Sequence, residues 1–147
     1  MFFWLLLKDR LSTRNLLRRR SMVLPNYNCV TCSLTTEETC HHLFFGCSFA
    51  REFWGILNFN FSQDMTVTEI ISEFKNNFQS DFSITLFVLM CWCIWGARNG
   101  YIFQSSQPSV QGCKEALIRE LQLVKCRINR EKRQTFTLWI DSLISAN

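Results

Sequence analysis

Glycine and proline are scarce, with five and two residues in a chain of 147. Sandwiches and barrels depend on frequent tight turns, so this shortage argues against them and favours helices joined by short loops. Histidine is confined to the adjacent pair His41 and His42, which leaves no Ser/His/Asp or Cys/His/Asn arrangement elsewhere. A phosphate-cradling glycine loop and a dinucleotide fingerprint are both missing. Among the acids, Glu69 and Glu73 are one helical turn apart, but on a short amphipathic helix they read as a solvated face, and Asp64 and Asp81 stand apart from them. No catalytic activity is expected of this chain.

A secretory leader is also missing. The opening MFFWLLLKDR has no basic start, its apolar run stops at Leu7, and no small-residue cleavage site follows. The expected setting is intracellular, nucleus or cytoplasm, where disulfides are rare. The eight cysteines then read as metal ligands or buried thiols instead of a disulfide framework.

What is present suits a packed helical domain. Hydrophobic residues make up 48% of the chain and aromatic ones 14%, enough to build a core. Phe2, Phe3, Leu6 and Leu7 recur at helical spacing, and on that pattern the chain is expected to start inside a helix whose natural domain begins upstream of Met1. Ser12 or Thr13 can cap a second helix with Leu16 and Leu17 inward and Arg18 to Arg20 in its last turn. Residues 21–38 read as a loop, Thr39 to Phe45 as a short helix stopped by Gly46, and Ser48 as the cap of the next. Val67 to Phe74 and Ser83 to about Phe103 are predicted helices, followed by a stripe of Leu117, Leu121, Val124 and Ile128 that Phe136, Trp139, Ile140 and Leu143 continue. The fold class is all-α, in three stretches: a zinc-binding segment 1–57, a helical extension 58–104 and C-terminal helices 105–147. The run Ile84 to Ala97 is shorter than the ~20 residues a membrane span needs, so a buried core helix is expected there and no membrane partner.

Charge is unevenly placed. Residues 1–27 carry Lys8, Arg10, Arg14, Arg18, Arg19 and Arg20 against Asp9 alone, and residues 114–133 hold seven cations against three glutamates. Such clusters permit phosphate contact, although solvated helix faces explain each one singly just as well.

The sharpest signal is Cys29-x2-Cys32-x9-His42-x4-Cys47. Two cysteines two residues apart can hold a metal from a tight turn, with His42 and Cys47 completing a tetrahedron. In a continuous α-helix the last two would diverge by about 140°, so the helix must end between them, and Gly46 is placed to allow it. Three thiolates and an imidazole select Zn²⁺, and four protein ligands leave no position for a catalytic water. One structural zinc is therefore expected. Cys40 and His41 are the alternative ligands, set aside because only His42 keeps the His-x4-Cys spacing; Cys91, Cys93, Cys113 and Cys126 read as core or isolated thiols. The ordinary alternative is that all eight are such thiols.

The residues Asp9-Arg10-Leu11, Thr13, Leu16-Leu17, Arg18-Arg19, then Cys29 and Cys32, then Glu38-Thr39, His42-Leu43, Cys47 and Trp54, follow one pattern. It resembles the zinc-binding domain of plant reverse transcriptases from non-LTR (LINE-type) retrotransposons. The later Trp92, Trp95, Arg98, Asn99 and Phe103 resemble the W-x-x-W-x-x-RN-x-x-F segment that follows that domain. The resemblance implies the same four ligands, a domain truncated at its start, and a position before Cys47 where Gly46 replaces a frequent acid. It also implies a parent polyprotein whose polymerase and endonuclease parts are absent here.

Two functions fit. In the first, Arg10, Arg14, Arg18, Arg19 and Arg20 meet phosphates and His41, Phe44, Phe45 and Phe49 meet bases, making a module for RNA or single-stranded DNA. Core packing is the simpler account of Phe45, Phe49 and Trp54. In the second, zinc only stabilises a structural domain that meets a protein partner through its C-terminal helices.

Overall fold

The computed structural model describes residues 1–144, and among these the chain is all-α. Helices α1 (Phe2–Leu7) and α2 (Arg14–Arg19) precede a π-helical turn (His42–Gly46) that runs into α3 (Ser48–Gly55). Then come α4 (Val67–Asn77), α5 (Ser83–Gln104), α6 (Val110–Arg127) and α7 (Arg130–Ile144). The only ladder contact among the described residues is one antiparallel bridge between Asn28 and Glu37.

Helix α5 organises the rest because its sequence is apolar on nearly every side, the mark of a helix enclosed by neighbours. The π-turn, α4 and α6 all pack on it, and α6 also reaches α3. It is long and apolar enough to pass a composition test for a membrane span. Its Leu86, Phe87, Met90, Cys91 and Ile94 are nonetheless buried in the protein core, and so is Arg98.

Trp54 sits at the centre of an aromatic cluster, within 5.2–6.1 Å of Phe45, Phe59, Phe61, Phe74 and Phe87. Its indole N–H donates to the Phe44 carbonyl at 2.8 Å, so this large ring is buried without an orphaned donor. Phe45, Phe49 and Trp54 are thus core residues, and Phe44 joins them. In α7, Phe136 packs edge-on against Phe82 at 4.9 Å and Ile140 is buried, so the C-terminal stripe turns inward.

Several sequence expectations shift in detail. Thr13 is the cap of α2, accepting from the Leu16 amide, and Leu7 is exposed where the periodicity placed it inside. Helix α4 extends three residues beyond Phe74, to Asn77. Ser48 is the first residue of α3 and makes no cap, since the extended residue before it is Cys47.

With few glycines, the chain ends its helices another way. Asp9, Ser21, Asn58 and Ser105 adopt left-handed backbone, with φ of 52° to 62°. Each follows a helix whose last carbonyls are closed by paired bonds, as in Ser106 N to Gly100 O at 3.0 Å and Met22 N to Leu17 O at 2.9 Å. An L-residue pays roughly 1–2 kcal/mol in this region that glycine does not, offset in part by glycine's larger chain entropy. Ser105→Gly should therefore raise unfolding stability by about 0.5–1 kcal/mol. Chemical denaturation would read this as a higher midpoint at unchanged slope, and an unchanged or lower midpoint would contradict it.

Candidate metal centre

The Cys29–Cys32 knuckle stands on a small hairpin. The Cys29 amide donates to Thr36 O at 2.8 Å and the Glu38 amide to Tyr27 O at 2.9 Å, so residues 27–29 and 36–38 run antiparallel. Arg14 braces this hairpin from α2 by donating from Nη1 to Asn26 Oδ1 at 2.7 Å and to Asn28 O at 3.0 Å.

The other two ligands come from the π-turn. Its Cys47 amide reaches back five residues to His42 O, at 2.6 Å. A π-turn advances roughly 80° per residue against 100° in an α-helix, so five residues bring Cys47 to within about 40° of His42. The wider turn does what the spacing demands, and extended backbone at Cys47 (ψ 136°) then separates it from α3. Gly46 is the last residue of this turn and has no positive φ. A Cβ there would lie 3.4 Å from His42 Nδ1, in ordinary van der Waals contact, so neither backbone freedom nor space demands glycine at this position. The widened register also leaves carbonyls needing partners. Trp54 serves Phe44 O, and Arg51 serves Phe45 O at 3.3 Å while spanning to Phe61 O at 2.7 Å.

The result gathers Cys29, Cys32, His42 and Cys47, with all four donor atoms within 4.8 Å of one another. Cys29 Sγ and Cys47 Sγ are 3.9 Å apart, and Cys32 Sγ and His42 Nε2 are 3.5 Å apart. Tetrahedral bonds of ordinary length put two sulfurs about 3.8 Å apart and a sulfur and a nitrogen about 3.6 Å apart. The site therefore fits a tetrahedral metal ion held by three thiolates and one imidazole.

Thr31, which the sequence did not single out, places its hydroxyl 3.1 Å from Cys29 Sγ and 3.2 Å from Cys47 Sγ. There it can donate to a ligating thiolate. The alternative ligands lie elsewhere. Cys40 is buried with its Sγ 4.0 Å from Leu6 O, and His41 Nε2 is 2.9 Å from Met65 O.

Without a metal the thiols differ. The hydrogen bond with Cys47 lowers Cys29, and the same contact, with burial adding to it, pushes Cys47 up to about 11. Burial raises Cys32. Burial also pushes Cys40 and Cys93 up to about 12, Cys113 to about 11, and Cys91 well above the usual range.

Beneath the site lies a feature the motif hinted at without specifying. The Glu38 carboxylate is fully buried and pairs with Arg98 of α5, Nη2 to Oε1 at 2.8 Å and Nε to Oε2 at 3.1 Å. Arg98 Nη2 also donates to Ser12 O and its Nη1 to Asn99 Oδ1, while its guanidinium lies 4.8 Å over Trp95. Glu38 in turn closes the start of α2. Its Oε1 accepts the Arg14 amide at 2.9 Å and its backbone carbonyl accepts the Asn15 amide at 3.1 Å. With Thr13 taking Leu16, the first three amides of that helix are all satisfied.

The arginines of the N-terminal cluster divide into two groups. Arg18 pairs with Glu37 at 2.8 Å and stacks over Tyr27, and Arg19 pairs with Asp9 at 3.0 Å. Arg10 and Arg20 are exposed and make no such pair. Exposed pairs of this kind are worth under about 1 kcal/mol and exchange readily.

Residues 1–54 match the family model described as zinc-binding in reverse transcriptase. The matched span runs from α1 to Trp54 and includes all four donor residues and Glu38. No curated protein and no solved structure matches the chain. The likeness to a reverse-transcriptase zinc-binding domain is thereby shown over residues 1–54, where the match and the geometry both support a metal-binding module.

Removing one member of a buried pair leaves a charge uncompensated. Arg98→Met or Glu38→Leu alone should cost about 3–5 kcal/mol, and the double variant less than the sum. Urea titration of the three variants measures this, and strict additivity would contradict the coupling. Metal binding should release about three protons per ion, because three thiols must ionise. Affinity then falls as pH falls, and a proton-release titration in weak buffer that found none would contradict ligation by thiolates.

Proposed function

We propose that the chain is a zinc-stabilised nucleic-acid-binding module of a retroelement, working without catalytic activity of its own. The observation that carries the reading is the Cys29/Cys32/His42/Cys47 tetrahedron within a segment that matches a zinc-binding family of reverse transcriptase. Zinc suits three thiolates and an imidazole, and a site closed by four protein ligands has no position for a reacting water. Such an ion is structural: it fastens the Cys29 hairpin to the π-turn and so contributes to folding.

Helix α2 lies against the same hairpin through Arg14, so metal binding fixes the surface that carries the basic cluster. Arg10 and Arg20 are available to phosphates directly, and Arg18 and Arg19 can exchange exposed carboxylates for phosphate oxygens. The partner in this reading is RNA or single-stranded DNA inside the cell, in nucleus or cytoplasm.

A second reading keeps the zinc and drops the nucleic acid. Ile118, Leu123 and Leu138 are exposed on α6 and α7, and a protein partner could cover them.

The first test is elemental analysis of purified protein. Wild type and Cys91→Ser should each carry one zinc per chain, and Cys29→Ser and His42→Ala none. A well-folded wild type without zinc would overturn the metal assignment. With zinc established, binding to single-stranded RNA should weaken steeply with salt, and Arg10→Ala/Arg20→Ala should reduce the slope of log K against log salt by about 1.4. Salt-insensitive or absent binding would favour the protein-partner reading.

A further inference from the structure

A cleft of about 410 Å³ opens between α2, the loop after it and the C-terminal end of α5. This is within the range of small-molecule sites, roughly 300–1,000 Å³. Leu17 and Pro25 form one wall, Trp95 and Phe103 the other, with Arg14 and Asn99 at hand. Phe103 is 76% exposed, an aromatic ring held largely out in solvent on the last turn of α5. No carboxylate lines the cleft among the described residues, whereas two guanidiniums do, those of Arg14 and Arg98. Arg98 is neutralised by Glu38. Arg14 spends only Nη1 on the hairpin, leaving Nη2 and Nε without a side-chain acceptor. Asn99 accepts from Arg98 through Oδ1, which orients its amide and frees Nδ2 as a donor.

We infer that this cleft binds one unstacked nucleobase of a single strand, with Phe103 as its stacking platform and Arg14 on the adjoining phosphate. The inference rests on the nucleic-acid reading above and names the site through which that reading would work. Three features select this occupant. The walls are apolar and offer an aromatic face, which any base can stack on. The free amide donor of Asn99 matches the carbonyl oxygens and ring nitrogens of a base edge. The positive charge of Arg14, bonded to neutral acceptors and paired with no carboxylate, matches a phosphate. The cleft also adjoins α2, so a strand whose base is seated here would have its neighbouring phosphates near the arginine cluster.

The test uses the full zinc-loaded chain and a fluorescein-labelled 12-nucleotide oligouridylate, followed by anisotropy across a salt series. A 12-base-pair RNA duplex serves as the second probe. Phe103→Ala should weaken binding of the single strand about tenfold, leave the salt slope unchanged, and have no effect on the duplex, whose bases cannot be splayed. Phe103→Trp should restore wild-type affinity, separating stacking from loss of fold. If Phe103→Ala binds the single strand as wild type does, while the Arg10/Arg20 variant lowers the slope, the cleft assignment fails and the nucleic-acid reading stands. Equal weakening on strand and duplex also overturns the cleft. If wild type binds neither probe at low salt, both fail together.

Discussion

The buried pair between Glu38 and Arg98 is the interaction on which the rest of this architecture depends. Two charges 60 positions apart are taken out of water, with side chains 0% and 5% exposed. Desolvating them is expensive, and the attraction offsets it only if every remaining donor and acceptor is used. Here they are. The carboxylate takes two bonds from the guanidinium and one from α2, and the guanidinium reaches Ser12 O and Asn99 as well. Such a pair acts as a register mark: α2, the Cys29 hairpin and α5 can meet in only one alignment that leaves no charge stranded.

The metal ligands inherit that alignment. Glu38 is four residues before His42, and the π-turn between His42 and Cys47 places both on one face. The same turn is held from its far side by Trp54 and Arg51, each satisfying a carbonyl the wider register frees. The aromatic core and the metal site therefore share a wall, and Phe45 belongs to both the turn and the core cluster.

Much of this was legible in the amino acids. Scarce glycine and proline, and the spacing of Leu16, Leu117 and Ile140, pointed to helices, and the interval pattern picked out the four residues whose donor atoms converge. The sequence also required the helix to break between His42 and Cys47, but placed the break in glycine's conformational freedom. A π-turn leaves no compositional mark, because its register is set by tertiary donors such as Arg51 and Trp54. Thr31 was hidden for a similar reason, since a threonine inside CVTC looks like any loop residue until both sulfurs are in place. Glu38 and Arg98 were each visible within a motif, yet a pairing across 60 positions cannot be read from periodicity. Ser105 and Ser21 concealed their left-handed backbone because serine is an ordinary residue in any loop.

The unequal thiols bear on which of them can hold a metal. An arriving ion meets eight chemically identical side chains, and nothing in their covalent structure tells it which to choose. Metal capture and oxidation both proceed through the thiolate. Burial pushes Cys40 and Cys93 up to about 12 and Cys113 to about 11, but Cys47 in the site also lies at about 11, so the shifts do not sort the thiols. Cys29 is buried and is shifted downward by its hydrogen bond with Cys47, beside the half-buried Cys32 and His42. Geometry makes the choice instead: Cys29, Cys32 and Cys47 converge with His42 within 4.8 Å, while Cys40 and Cys113 sit in the core against backbone carbonyls.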